Sequence, residues 1–420
     1  MESDAGGPVV LREGETAAQS RACPYDRADE AYFSYYSALT HQAQMLQDAV
    51  RTAAYQLAIL QHAEPFFADK VVMDVGAGNG ILSLFALQAG ARVVYAVEAS
   101  GVEACLRRLV ASARQQGDGA ANTWIRDRLA VVHSRVEDVT EDTLARCAPD
   151  AACAARRVDT IVSECLGVLL VHERMCESFI EARDRFLQPG GALFPSAGTL
   201  CFTLLNDARL WHEVNARGNW WNTANFYGID LTPFVRTARA EAFGSPVVGC
   251  FSPTHVVGAR SMGDVAGTLA CPDDAVCRHV VDFRTVRAAD LREFDVPLAW
   301  DAVTDAVVVH GLGAWFDLSF LQADEEEDVG AHGALMTTSP FAPPTHWAQV
   351  RLLFEEPLAL NRGQRVEGTL HFSANASRSY DISAHLWVPW GKGEHEAAMF
   401  ERRAHWKLDN QTYSWESVGG

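Results

Sequence analysis

The 420-residue chain has no run of about 20 uncharged apolar residues, so no membrane-spanning helix is expected. Its first residues, MESDAGGPVVLREGETAAQSR, contain no apolar stretch, so no secretory signal is expected. None of the ten cysteines forms a C-x-x-C pair. Cys147/Cys153 and Cys271/Cys277 are each six apart, a poor spacing for zinc. Reduced thiols of an intracellular protein, cytoplasmic or nuclear, are the reading, with no metal. Basic residues are the minority. Thirty-five Lys and Arg against 54 Asp and Glu leave a net charge of −19. That balance argues against the basic face needed for nonspecific nucleic-acid binding, and no direct nucleic-acid or membrane partner is expected. It suits a cationic substrate, because an acidic surface steers cations. No internal repeat is visible. What is present, 48% hydrophobic and 21% charged residues, is ordinary for a globular chain of two or three domains.

Along the chain, residues 1–25 are small and polar and read as a disordered tail. An aromatic cluster, AYFSYYS, follows at 31–37. Residues 40–62 read as one helix, with Met45, Ala49, Ala53, Leu57 and Leu60 on one face and Pro65 marking its end. Strand patterns at 70–74, 92–97, 129–133 and 158–163 alternate with helical stretches. This predicts a parallel, doubly wound α/β sheet of the Rossmann-like kind over 65–195. After PGGALFP at 189–195 come short alternating segments, the pattern of a β-barrel or sandwich over 196–420. Two insertions interrupt it: a Trp-rich helical one at 206–235 and an acidic, solvated loop at 322–334.

Asp74-Val-Gly76-Ala-Gly78-Asn-Gly80 lies between a strand and a helix. Glycines there admit a ligand to the backbone, and the helix start offers free N–H groups. The spacing G-x-G-x-G is not the G-x-G-x-x-G that seats a pyrophosphate. Glu98 follows Gly80 by 18 residues and ends the next strand, where a carboxylate accepts both ribose hydroxyls. A nucleoside cofactor without phosphate fits: S-adenosyl-L-methionine, leaving as S-adenosyl-L-homocysteine. Asp74 is the candidate for its cationic part and Arg51 for its carboxylate. A purely structural glycine turn and an exposed helix charge are the bland alternatives.

The sharpest feature is Ser163-Glu164-Cys-Leu-Gly-Val-Leu-Leu-Val-His-Glu173-Arg-Met, which follows the fourth strand. Two glutamates bracket an apolar loop at the carboxyl end of the sheet, where such folds bind ligands. Carboxylates in apolar surroundings want a cation or protons. A guanidinium matches them with parallel hydrogen bonds. By spacing alone, two capping or surface glutamates remain the alternative.

Seven ordered motifs between about residues 31 and 390 carry a resemblance: YFSYY, MLQDAVRT, VVMDVGAGNGILS, VYAVEAS, RVED, SECLGVLLVHERM and TSPFAPPTHW. In them the chain resembles the type I protein arginine N-methyltransferases. DVGAGNGILS, HGLGAWFDLSF and TSPFAPPTHWAQ look closest to the nuclear, sixth-subtype branch. The resemblance implies methyl transfer from S-adenosyl-L-methionine to arginine in Arg-Gly segments or histone tails, giving mono- and asymmetric dimethylarginine. It implies that Gly76, Gly78 and Gly80 line the cofactor, that Glu98 binds its ribose and Arg51 its carboxylate. Glu137, with the backbone of Val136, meets its adenine. Phe33, Tyr36 and Gln42 belong to N-terminal helices (26–64) that cover the cofactor, and Met45 matches a position linked to the asymmetric product. Glu164 and Glu173 hold the substrate arginine, and His346 pairs with Asp48. Glu173 or the Asp48–His346 pair is the candidate proton acceptor. Residues 206–235 match an arm that makes a homodimer.

The match departs in one loop. Relatives commonly read Ser-Glu-Trp-Met-Gly-Tyr where this chain has Cys165, Leu166 and Val168. Leu is close to Met in volume, so activity is expected to survive, and the loop is where a change of product would arise. Two other readings stay open at this stage. One is a catalytically weak subunit of the same fold that activates a partner methyltransferase; the intact Glu164, Glu173, Asp48 and His346 argue against it. The other is a nicotinamide oxidoreductase, against which the glycine spacing and the β-rich half speak.

Overall fold

The structure, a computed structural model, describes residues 24–117, 120–149, 156–261, 269–270, 272–301, 303–322, 335–390 and 397–414. Three helices open it: α1 (Pro24–Tyr36), α2 (Leu39–Gln47) and α3 (Ala49–Gln61). The single helix expected over 40–62 is broken at Asp48, whose backbone is extended and whose carboxylate caps α3 through the Arg51 N–H at 2.9 Å. The break changes the helical phase, so the expected apolar face is not the buried one. Arg51, Tyr55, Ala58 and Ile59 are buried in α3, whereas Leu57 and Leu60 stand 54% and 40% exposed.

The next unit alternates strand and helix: β1 (Val71–Val75), α4 (Ile81–Gln88), β2 (Val93–Glu98), α5 (Glu103–Gln115), β3 (Leu129–His133), α6 (Glu141–Cys147), β4 (Val158–Ser163), α7 (Met175–Phe186) and β5 (Leu187–Phe194). The five strands form one parallel sheet in the order β3-β2-β1-β4-β5. Every residue of β1 and β2 is buried, as a sheet covered by helices on both faces demands.

Phe194–Pro195, a cis peptide bond, leads into antiparallel structure. Strand β6 (Ala197–Leu205) is followed by α8 (Ala208–Asn219) and α9 (Val235–Phe243), then β7 (Val247–Val248) and the short ladder β8 (Arg260–Ser261) with β9 (Leu269–Ala270). The remaining strands are β10 (Cys277–Asp282), β11 (Glu293–Trp300), β12 (Val307–Ser319), β13 (Leu335–Thr337), β14 (Val350–Leu360), β15 (Val366–Ala374), β16 (Tyr380–Trp390), β17 (Ala397–Lys407) and β18 (Thr412–Tyr413). One sheet runs β10-β6-β12-β14-β7-β18 and another β11-β15-β16-β17. In β15 Val366, Gly368, Leu370 and Phe372 face inward and alternate with less buried residues, the period of a strand with one covered face. The helical insertion runs to Phe243, past the expected 235. Trp211 anchors it by donating its indole N–H to Phe354 O at 2.8 Å.

One apolar core spans both units. Tyr55 meets Phe320 edge-on at 5.0 Å and Phe179 meets Phe283 at 5.5 Å, so the parallel sheet's helices pack directly on barrel side chains. The expected tail (1–25) and acidic loop (322–334) lie outside the described residues, except that α1 already begins at Pro24 and Gln322 is buried.

Candidate active site

A cavity of about 840 Å³ opens over the carboxyl ends of β1, β2 and β4, under α1 and α2 and against the barrel unit. Its floor is the glycine loop after β1. Gly76 and Gly78 take φ of +72° and +56°, conformations that L side chains rarely adopt. A Cβ on Gly78 would stand 2.8 Å from Gln42 Oε1. Gln42 accepts the Asn79 backbone N–H at 3.1 Å and donates to Tyr36 O at 3.0 Å, tying the N-terminal helices to the loop. Glu98, at the end of β2, accepts Gly78 N–H at 2.7 Å and Ser100 N–H at 2.6 Å. Each of its oxygens keeps a lone pair for a further donor.

The loop after β4 carries the two glutamates. Its root is fixed by Ser163, whose hydroxyl donates to Val75 O at 2.6 Å and whose carbonyl accepts the Tyr55 hydroxyl at 3.1 Å. Glu164 Oε2 accepts Arg51 Nε at 3.1 Å and Nη2 at 2.8 Å; both side chains are nearly buried. The chain then turns tightly. Leu169, Leu170, Glu173 and Arg174 all have positive φ, and Trp347 donates to Leu166 O at 3.1 Å. Non-glycine residues in that region persist only where surroundings hold them. The Tyr36 hydroxyl lies 3.0 and 2.9 Å from the two Glu173 oxygens. Burial pushes the Glu173 carboxyl up to about 7, with Glu164 adding to the rise and the Tyr36 and Tyr32 hydroxyls opposing it. Burial pushes the Tyr36 hydroxyl upward, with the Glu173 charge adding to it.

Behind this loop, Asp48 Oδ2 accepts both the His346 backbone N–H at 2.8 Å and its Nδ1 at 2.7 Å. Burial alone would raise the Asp48 carboxyl; the contacts from His346 and the Arg51 N–H outweigh it and hold it at about 2.

Phe33, Tyr36, Gln42, Met45, Arg51, Gly76, Gly78, Glu98, Val136, Glu137, Glu164, Glu173 and His346 therefore line one cavity. Val136 and Glu137 sit at its edge, where the Glu137 carboxylate accepts the Ser178 hydroxyl at 2.6 Å. Asp48 stands behind His346. Two expected residues are placed elsewhere. Asp74 is fully buried beneath the glycine loop, accepting Ser83 N–H at 2.9 Å and Ser83 Oγ at 2.7 Å, because strand alternation turns it toward α4. Gly80 caps α4 at φ +88° against Leu106 and faces away from the cavity. Residue reasoning missed Tyr32, Met175 and Arg378 on the wall, and Asp29 behind them. Arg378 lies 205 residues from Glu173 in sequence, a separation that carries no local signal.

Residues 196–389 match the arginine methyltransferase oligomerization subdomain. A protein named "Probable histone-arginine methyltransferase 1.3" from Arabidopsis thaliana is 37% identical over 371 residues, covering 88% of this chain and 61% of that protein. The chain thus spans under two thirds of the length of the curated relatives it matches. The Trypanosoma brucei PRMT1 enzyme-prozyme heterotetrameric complex with AdoHcy superposes with a TM-score of 0.66 at 28% identity, covering 89% of this chain and 99% of that one. A solved PRMT6 chain superposes with a TM-score of 0.58 at 24% identity, covering 84% of this chain and 100% of that one. At that identity the likeness to the sixth subtype is one of fold alone. Sequence over most of the chain and fold over both units agree: the chain is similar throughout to arginine methyltransferases, and residues 196–389 carry their oligomerization subdomain.

Proposed function

We propose that the protein transfers methyl groups from S-adenosyl-L-methionine to the guanidino nitrogens of arginine in proteins, giving mono- and asymmetric dimethylarginine. The observation that carries the reading is the convergence of Glu164 and Glu173, from the two ends of one loop, on the cavity that also holds the glycine loop and Glu98. The donor set fits the cofactor. Glu98 has acceptor capacity left for ribose hydroxyls. Arg51 spends Nε and Nη2 on Glu164 and one Nη1 N–H on Met45 O at 3.5 Å, and keeps the second Nη1 N–H for a carboxylate. At Gly78 a Cβ would press on Gln42 Oε1, so glycine there keeps the N-terminal helices seated over the loop.

The bound cofactor supplies an electrophilic methyl on a sulfonium centre. The chain's own residues do the rest. Glu164 and Glu173 take two nitrogens of the substrate guanidinium, drawing its positive charge onto those atoms and freeing the third nitrogen's electron pair. Holding that nitrogen in line is worth several kcal/mol, up to about 7–11 in the best cases, and preorganised charge adds to it. Glu173, at about 7, exchanges a proton at neutral pH and is the acceptor for the proton released. Asp48, held at about 2, stays ionised and orients His346.

The substrates are Arg-Gly segments or histone tails, which the net charge of −19 attracts, and nuclear or cytoplasmic action follows from such substrates. The protein acts as a homodimer through the α8–α9 arm. Trp220, Phe226, Tyr227, Ile229 and Phe234 of the arm are exposed, Tyr227 at 92%, and so are Leu57 and Leu60 on α3. A second copy covers both apolar faces.

The test is methyl transfer to an Arg-Gly-rich peptide and to histones, read by mass spectrometry with fragmentation to separate dimethylarginine isomers. Asymmetric product that disappears in Glu164→Gln is the expected result. Monomethylarginine alone would assign a changed product to Leu166 and its neighbours. No transfer despite tight S-adenosyl-L-homocysteine binding would overturn the reading in favour of a regulatory subunit.

A further inference from the structure

We propose that Arg378, on the turn between β15 and β16, is a positioning residue that straps helix α1 and the Glu173 loop into one arrangement over the cavity. What that arrangement accomplishes rests on the methyl-transfer reading above; the strap itself rests on geometry.

Arg378 reaches from the barrel unit to four partners, one of them Met175, whose Sδ lies 3.7 Å from Nη2. Its Nε donates to Glu173 O at 3.1 Å. Its Nη1 pairs with Asp29 of α1. Its guanidinium carbon lies 4.5 Å over the ring of Tyr32, also on α1. The side chains of Arg378 and Asp29 are only 14% and 11% exposed, so this pair is far less screened than a surface ion pair. Asp29 is held from the other side by Arg135, which follows β3, at 2.7 Å. One carboxylate of α1 thus bridges a guanidinium from each unit.

The turn is built to present Arg378. Asn375 Oδ1 accepts the N–H groups of Ser377 at 3.0 Å and Ser379 at 3.2 Å, and Arg378 takes φ +53° between them. Ser379 Oγ meets His172 Nδ1 at 2.8 Å, fixing the turn against the residue before Glu173. Glu173 and Arg174, at φ +71° and +56°, need such external holds. The contacts close a circuit: Arg378 holds the Glu173 carbonyl and α1, while Tyr36 of α1 holds the Glu173 carboxylate. Lysine cannot make this set, because two N–H contacts to separate partners together with a flat face over the Tyr32 ring require the guanidinium fork.

The charged and titratable groups set around Glu173 are Tyr32 and Tyr36 from α1, Glu164 from the loop root, Tyr413 from β18 and Arg378 from the turn. Of these five, Arg378 is the cation. Its loss therefore favours the protonated form of Glu173.

The test uses the full chain with Arg378→Met, Arg378→Lys and Asp29→Asn. Three quantities are read: S-adenosyl-L-homocysteine affinity by calorimetry, amide hydrogen exchange over 24–36, and kcat/KM against pH with an Arg-Gly-rich peptide. Arg378→Met is expected to weaken affinity about tenfold and to speed exchange in α1. It should also move the acidic limb upward, because the guanidinium favours the charged carboxylate. Arg378→Lys keeps the charge, so it should restore the limb without restoring α1 protection. Asp29→Asn should loosen α1 and leave the limb nearly in place. Wild-type exchange, affinity and limb in Arg378→Met would overturn the strap while leaving methyl transfer standing. If the wild type methylates no arginine, the functional reading fails, and the affinity and exchange results decide the strap alone. If Arg378→Met does not fold, Asp29→Asn cuts the same connection, and unchanged exchange in that variant overturns the proposal.

Discussion

Replacing Glu173 by Gln should remove activity and at the same time stabilise the ligand-free protein at alkaline pH. Its carboxyl is raised from an ordinary 4.5 to about 7, chiefly by burial. The folded state therefore binds this proton more tightly than the unfolded state does. Stability is lost as pH rises from about 4.5 to about 7, and the full cost is present above 7. That displacement corresponds to about 3 kcal/mol, a ceiling because Glu173 keeps part of its surface open to the cavity. Gln removes the charge and still offers Tyr36 an acceptor. For a chain of 420 residues unfolding as one unit, 1 kcal/mol moves Tm by only about 1 °C, so Glu173→Gln should melt about 1–3 °C higher than wild type at pH 8. The gain should disappear toward pH 5. In single-turnover methyl transfer the same variant should lose about 10²- to 10⁴-fold, the range for a positioned base. Wild-type kcat/KM should rise with pH through about 7, and that step should be absent in the variant. A Gln variant less stable than wild type at pH 8 would refute the burial argument. Loss of equal size in His346→Ala would refute Glu173 as the proton acceptor.

Other perturbations test other parts of the site. Gly78→Ala places a Cβ 2.8 Å from Gln42 Oε1 at φ +56°; it should cost about 1–2 kcal/mol of stability and weaken S-adenosyl-L-homocysteine binding at least tenfold, read by calorimetry. Arg51→Met leaves Glu164 buried without its partner and should destabilise by about 3–5 kcal/mol in urea unfolding, with a loss of cofactor affinity larger than that of Gly78→Ala. Asp48 is held below its ordinary 3.8, at about 2, so its contribution is present above pH 4 and is lost as pH falls toward 2. Asp48→Asn should therefore cost about 2 kcal/mol at pH 7, with the difference from wild type shrinking on acidification. Tyr227→Ala with Phe226→Asp should yield a monomer by light scattering at concentrations where wild type is dimeric; an unchanged mass would remove the arm from the interface.

Much of the site was legible locally. A glycine-rich strand-to-helix turn, an acid ending the next strand and paired glutamates after β4 are each set by residues close in sequence. Parallel-sheet topology then brings strand ends to one edge, so Gly76, Glu98 and Glu164 meet without any distant information. The motif points Asp74 and Gly80 at the ligand, but pleat direction turns Asp74 to Ser83 and Gly80 caps α4. The helix over 40–62 failed for a related reason. Asp48 is a good cap, and capping there resets the phase by which an apolar face is counted.

The sequence by itself determined the class of fold and the glycine turn after the first strand, because strand period and turn chemistry are local properties; the spacing of Glu164 and Glu173 marked a candidate pair, and the resemblance gave it a role. Only the tertiary structure decided that Arg51 grips Glu164 across 113 residues and that Arg378 reaches both Glu173 and Asp29, while the pairing of His346 with Asp48 across 298 residues was already implied by the resemblance. Those contacts depend on how the barrel unit and the N-terminal helices pack on the parallel sheet. That packing follows from burial of a shared apolar core, which is non-directional and leaves no pairing signal in the order of residues.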